Sequence, residues 1–543
     1  MKLAYSPIPP VEMIPSEPVS TSDFIAARRS KIFLPDSQTT YSFEGNDRMT
    51  FTLNSNSECI DGRNTYLEFD LAVVEDGGSL DTAQKAQAII GAGGGHALFR
   101  RLQVSLSNGT QIEDIVGYNK LYSIIRHNTM SMDHLRYVEH QSGDGYNDSR
   151  YEVDVTDDAV FQGITYAQSE ANYDHTGGAA EQLLVLATTA NLSHASSELQ
   201  VGDILRIETA VLNYTARVLT IVDNKSVTVE GLPAVDIAAN AILSLTLSRT
   251  GQTTSPRFRA ASTSGIKLKL KVFSDFFSNK KWVPLFLMKN LQLTFELERG
   301  ALAFQALCAP GTSPSITYTI TNPRLIATMV TPAQSELEGM LSAYNSSDGI
   351  YFPFISYQHH LKSVTAGTSG SLTIPANCRS ARAFIFAQYP AFSEAVATAS
   401  YVNDTIGITI KNLMTQFQIK VGSENYPYCR PVDTDDVCNG DSMAQLQQAL
   451  GHWGNNQFST SIINSEYAAI NTINAVANES KRWVGGVLLA RDDSSTGTGV
   501  DLINNDVILE YQRSAAGIDC YFRTFLLHDR AVVLSRAGIV VFS

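Results

Sequence analysis

Two runs of strict alternation flank a proline corner and constrain this chain more than any other feature in it. In Leu291-Gln292-Leu293-Thr294-Phe295-Glu296-Leu297-Glu298 the odd positions are apolar and the even ones polar. Ile266-Lys267-Leu268-Lys269-Leu270-Lys271-Val272 alternates in the same way. A period of two sets one face of a strand on a core and turns the other to water or a polar neighbour. Between the runs lies Trp282-Val283-Pro284-Leu285, an apolar corner whose proline cannot occupy a central ladder. The flanking sequence reads as further strands, so the expected fold class is all-β. Residues 276–300 are expected to end one β-sandwich and form the hinge to a second.

A chain of 543 residues is too long for one core. Its net charge of −14 is unsuited to broad phosphate-backbone binding, which needs Lys and Arg to displace counterions. Charged residues make up only 17%, which suits a surface covered by copies of itself or by neighbours. Cys59, Cys308, Cys378, Cys429, Cys438 and Cys520 are scattered without a CxxC and read as reduced, buried side chains of a cytosol-assembled protein. Prolines at 7, 9, 10, 15 and 18 break any signal-peptide core, and no apolar run approaches the ~18 residues of a membrane helix. The sequons at Asn108, Asn147, Asn191 and Asn345 are therefore expected to carry no glycan.

In chain order, residues 1–30 read as an extended Pro-rich arm that docks on a neighbour, with Arg28, Arg29 and Lys31 available to an acidic surface or anionic lipid. A first unit, 31–300, follows. Its Gly-rich stretch 80–97 reads as a flexible surface loop, because it lacks the spacing and strand of a phosphate-binding turn. Asn108-Gly109 predicts a type I′ hairpin. Ile115, Tyr118, Leu121, Tyr122 and Ile125 predict a helix. Residues 181–250 read as a small antiparallel β-barrel inserted at a loop tip, with Asn191, Asn213 and Asn224 on turns. A second unit, 301–543, repeats the organisation. Thr331-Pro332-Ala333-Gln334 predicts a capped helix start, and Met443–Leu450 a second short helix.

Two eight-stranded sandwiches in tandem, each with a helix in a loop, resemble the double jelly-roll major capsid proteins of DNA viruses. Ile32-Phe33-Leu34-Pro35, Tyr41-Ser42-Phe43 and Tyr66–Leu71 are similar to the family's opening strands. Leu98-Phe99, Ser107-Asn108-Gly109, Gln111–Ile115 and Tyr118-Asn119 are similar to its helix-preceding hairpin. Trp282–Leu297 is similar to the close of its first roll, and Val421-Gly422 with Asn425-Tyr426-Pro427 to a second-roll segment. The resemblance is to the forms of Polinton-like viruses, adintoviruses and virophages, and spans 30–180 and 255–543. It implies a homotrimer with trimer–trimer lattice contacts, tiling an icosahedral shell around the genome, with penton and minor capsid proteins as partners. It also implies a place in the virion. Apart from the resemblance, the pre-extended, basic-ended arm is expected beneath the shell, reaching an internal membrane or the genome, and the Gly/Thr-rich ends of the 181–250 unit are those of a loop-tip tower turned outward and open to host contact.

No residue pattern points to catalysis, a cofactor or a metal, and the chain reads as a non-enzyme. His127, His134 and His140 span a helix end and a loop. His359 and His360 are adjacent and would point to opposite faces of a strand. Asp433, Asp435, Asp436 and Asp441 lack the spacing of a calcium loop. The rival class is a secreted glycan-binding or carbohydrate-active β-sandwich, which would show a solvent-facing row of aromatics on one sheet.

Overall fold

The structure is a computed structural model. It describes residues 25–75, 87–131, 266–278, 281–288, 290–307, 316–390, 406–407, 409–427, 430–434, 440–451, 460, 482–490 and 499–542, and strand backbones alone between 132 and 265. The first roll is built from β1 (Ile25–Phe33), β2 (Arg48–Leu53), β3 (Cys59–Glu75), β4 (Phe99–Leu106), β5 (Gln111–Val116), helix α1 (Tyr118–Thr129), β6 (Ile266–Lys271), β7 (Leu291–Leu297) and β8 (Ile316–Pro332). Its sheets run β1-β8-β3-β6 and β2-β7-β4-β5, all antiparallel. Helix α2 (Gln334–Asn345) leads to the second roll. That roll comprises β9 (Ile350–Val364), β10 (Ser369–Ile374), β11 (Ala381–Pro390), β12 (Met414–Val421), β13 (Glu424–Tyr426), α3 (Gly440–Ala449), β14 (Gly485–Leu488), β15 (Val507–Arg513) and β16 (Cys520–Ser535), with β17 (Gly538–Phe542) paired to β16. Its sheets run β9-β16-β11-β14 and β10-β15-β12-β13. The strand order is that of the first roll, and each roll carries a helix between its fifth and sixth strands. Both are jelly rolls.

The alternation does what its period requires. Leu291, Leu293, Phe295 and Leu297 of β7 are buried, as are Leu268 and Leu270 of β6. Lys267 and Lys269 meet Glu68 on the other face, at 3.7 and 3.3 Å. Glu296, on the polar face of β7, is buried among Arg48, Arg100 and Arg101 at 3.1–3.6 Å. Phe276 and Phe277, in a helical turn over Asp275–Ser278, fill the corner edge to face. Their entry fixes Gly62 of β3, where a Cβ would stand 2.0 Å from the Phe277 carbonyl oxygen. Among the described strands Val283-Pro284 pairs with Ile60-Cys59 alone, at one end of β3, where a missing N–H is tolerated.

Several expectations are corrected. The first roll does not close at 300: β8 lies between β1 and β3 and completes the sheet. Nor is all of 1–30 an arm, because β1 begins at Ile25 and pairs with β8; residues 1–24 lie outside the described residues. The Gly-rich loop reading fails in its second half. Gln87–Ile90 is a strand between Phe304–Leu307 and Arg257–Arg259, and Gly94–Leu98 is a buried 3₁₀ turn. His96 anchors that turn by stacking on Tyr122, centroids 3.7 Å apart, with Nδ1 2.8 Å from the Tyr118 hydroxyl. Tyr118 accepts the Phe273 N–H at 3.3 Å, which leaves its own proton for His96. Burial pushes the His96 imidazole well below its usual value.

The Asn108-Gly109 hairpin forms, but Gly109 alone of the pair has a positive φ, 86°. The bonds Gly109 N–H to Leu106 O and Leu106 N–H to Thr110 O enclose a three-residue loop with a bulge, not a type I′ turn. Thr331 and Pro332 stay in β8, paired to Ala27 and Ile25, so Ala333 is the N-cap of α2 and no side chain caps it. The inserted unit is larger and more open than expected. Asn172–Asp174, Gln182–Val185, Ser226–Glu230, Asn213–Ile221, Ile204–Thr209, Ile242–Ser248 and Glu152–Val153 follow one another in a seven-stranded antiparallel sheet. Among the described strands its two ends do not pair, so the path is open, and two of its strands precede residue 181. Asn213 begins a strand; Asn191 and Asn224 lie outside the described residues.

Candidate assembly surfaces

The two rolls meet along a seam built from the β5–α1 region and the β6–β7 corner of the first roll and from β9, β11 and β16 of the second. Phe276 packs edge-on against Phe354 (5.5 Å) and Phe273 against Tyr357 (6.1 Å). The buried Lys120 ammonium stands 4.3 Å over the Tyr389 ring, an arrangement worth ~2 kcal/mol when desolvated. The Asp275 carboxylate accepts the Ile355 N–H at 2.5 Å. Arg530 donates to the Gln111 carbonyl at 3.4 Å and Thr460 to the His127 carbonyl at 3.1 Å. Gly117, at φ 68°, leaves room for Arg523, whose Nη1 would be 3.0 Å from any Cβ there.

The seam buries acids as well as rings. Burial pushes the Glu113 carboxyl up to about 8, with Asp275 raising it further and the Ser274 hydroxyl and Arg530 opposing. Ser274 donates to Glu113 Oε2, and Glu113 Oε1 is buried without a partner. Asp275 is raised by burial, against the Ile355 N–H and Arg382. His528, beside them on β16, is lowered to about 4, by burial first and Arg530 second.

The counterparts of these seam elements face outward. Strand β9 opens the second roll and is covered by the first roll; β1, its equivalent, is exposed along most of its length. Ile32 and Leu34 at its end are 53% and 66% exposed. The β14–β15 corner of the second roll, equivalent to the phenylalanine corner of the first, carries Ile503 at 43% exposure. The basic residues of β1 are engaged within the chain. Arg28 meets Asp61 at 2.6 Å, Arg29 meets Glu58 at 2.7 Å through two hydrogen bonds, and Lys31 donates to the Asn54 carbonyl at 3.0 Å. The Arg29 hydrogen bond holds the Glu58 carboxyl below its usual range.

The residues weighed for chemistry are dispersed. His127 is buried with Nδ1 3.2 Å from Ser123 Oγ, while His134 and His140 lie outside the described residues. His359 Nε2 takes a hydrogen bond from Arg523 at 2.9 Å; His360 Nε2 is buried elsewhere without a partner. Asp441 accepts the Asp433 N–H at 3.1 Å and stands 3.5 Å from Arg430; Asp435 and Asp436 lie outside the described residues. Among the described residues no group of three metal-ligating side chains gathers. Cys59, Cys378 and Cys520 are buried free thiols, the first two pushed up to about 12 by burial.

No protein-family profile matches this chain, and no curated protein matches it in sequence. Solved structures do. The Faustovirus major capsid protein aligns with a TM-score of 0.51 at 8% identity, over 94% of this chain and 91% of that one. A chain of the Sputnik virophage structure aligns at 0.49 and 10% identity, over 100% and 93%. The mavirus major capsid protein aligns at 0.40 and 9%, over 97% and 93%. At such identity the first of these speaks to the fold: a double jelly roll along essentially the whole chain.

Proposed function

We propose that this chain is the major capsid protein of an icosahedral DNA virus, acting by self-assembly and not by catalysis. The observation that carries the reading is the unequal use of equivalent surfaces. Within the chain, the phenylalanine corner of one roll meets the first strand of the next. The second roll offers the same corner, with Ile503, and the first roll the same strand, with Ile32 and Leu34, and both are exposed. Repeating the contact between chains is a heterologous, head-to-tail association, which closes into a ring when the rotation permits. Three chains supply six similar lobes, the shape that fills a hexagonal lattice. The likeness to the Faustovirus capsid protein supports the same role.

On this reading the chain resides in the virion, contacts its own copies within and between trimers, and meets penton and minor capsid proteins at the lattice margins. The sheet between Glu152 and Ser248 stands on the outer surface as a tower open to host contact. A glycan-binding role would call for a row of exposed aromatics on one sheet; among the described residues Phe542 is the one aromatic among the exposed large apolar side chains. Mass photometry and negative-stain microscopy of the purified protein test the proposal. Trimeric, six-lobed particles are expected, and a strictly monomeric protein at micromolar concentration overturns it.

A further inference from the structure

Strand β17 turns back on β16 and, among the described strands, pairs with nothing else. Its register, Ser535 with Gly538, Val533 with Val540 and Ala531 with Phe542, follows a two-residue turn. In such a hairpin the closing pair and every second pair after it exchange hydrogen bonds. Gly538, Val540 and Phe542 therefore bond inward to β16, while Ile539 and Val541 direct their N–H and C=O groups to the open edge. The strand lacks the charges and the proline that blunt many edges: Ile539-Val540-Val541-Phe542 has neither. Ile539 and Val541 pack against the core, and Val540 and Phe542 are 48% and 53% exposed. Strand β1, the edge of the first roll's corresponding sheet, is lined instead with Arg28, Arg29 and Lys31.

We propose that Val11-Glu12-Met13-Ile14 of the same chain adds to this edge as a further strand, clasping the first roll to the second. Ile25 is registered with Pro332, and α2 begins two residues later. The far end of α2 reaches the β16–β17 turn, where the Arg536 N–H donates to the Tyr344 carbonyl at 3.1 Å. A helix of 12 residues spans ~18 Å, which sets the separation of the arm's exit from β17. The stretch from Ile14 to Ile25, extended, covers up to ~36 Å, so the run reaches the edge with length to spare. Val11–Ile14 is a proline-free run with β-branched residues at both ends, bounded by Pro10 and Pro15 and one residue shorter than β17. The flanking prolines hold the chain extended and lower the cost of ordering it.

Residue-resolved hydrogen exchange on the full chain and on a variant lacking residues 2–24 tests this. The Ile539 and Val541 amides are expected to exchange roughly tenfold faster in the deletion variant, while Val540 and Phe542 keep their protection from β16. Met13→Pro is expected to reproduce the deletion. Equal exchange at 539 and 541 in full chain and deletion overturns the clasp. Unchanged protection in Met13→Pro overturns the choice of segment. Isotope-labelled deletion variant is then mixed with unlabelled full chain. If the labelled copies gain protection, the strand comes from a neighbouring copy and the same-chain assignment is overturned.

Discussion

Glu113 breaks the alternation of its own strand. In β5 Ile112, Glu113 and Ile115 are all buried, because one face lies on the first roll's core and the other, at Glu113, lies under the second roll. A period-two reading assumes one wet face, so a carboxyl at the polar position carries no sign that it is buried. The cost shows in its titration. The folded protein holds a proton on Glu113 up to about pH 8, which the unfolded chain releases near 4.5. The folded state thus binds more protons across that window, and its stability falls as pH rises through it. Glu113→Gln is expected to flatten the slope of melting temperature between pH 5 and 9, a difference on the order of a few kcal/mol at the alkaline end. An unchanged slope would place the titration elsewhere. His528 acts in the opposite sense. Its folded value of about 4 lies below the usual 6.5, so its contribution is present above 6.5 and is lost as pH falls through 4. His96 was equally hidden, since a Gly-rich segment gives no sign in composition that it will be buried beneath two tyrosines.

At the scale of the element, β7 was legible and β8 was not. The alternating residues of β7 announced a half-buried strand, and its neighbours β2 and β4 were readable by the same rule. Strand β8 shows equally clear alternation, with Ile316, Tyr318, Ile320 and then Leu325, Ala327 and Met329 buried. Periodicity says that a strand has an inner face, but not which sheet claims it, so a strand after the corner reads as part of the following roll. Thr331-Pro332 misled for a related reason: pairing to β1 holds both residues extended against a plausible helix cap. The most demanding element contact is that of β3 with the turn at 275–278. Gly62→Ala places a methyl group 2.0 Å from the Phe277 carbonyl oxygen, backbone against backbone. A loss of roughly 3 kcal/mol or more is expected in chemical denaturation, at the upper end of overpacking costs. A change within ±0.5 kcal/mol, typical of surface substitutions, would show that the corner yields.

At the scale of the whole molecule, the exposed counterparts of the seam are the place to break assembly without breaking the fold. Ile503→Asp or Leu34→Asp is expected to weaken self-association at least about tenfold by mass photometry while leaving the melting temperature within a few degrees, since neither side chain is in the core. A variant that stays trimeric would move the contact elsewhere. The inserted sheet sets the proper excision. Replacing 181–250 alone would strand Glu152–Val153 and Asn172–Asp174 without partners, so residues 150–252 are the unit to replace with a Gly-Ser linker. Particles of normal diameter with lower outer relief are expected, and loss of the trimer would make the sheet structural. The place of β8 between β1 and β3 has a further consequence, for synthesis. Phe33 must wait for Leu325, and at roughly 5–20 residues per second the ribosome delivers that partner roughly 15–60 s later. Through that interval the nascent chain presents two open sheet edges while the inserted sheet emerges between them. Chains released at residue 300 should aggregate or bind chaperones, whereas chains released at 345 carry the closing strand and should not.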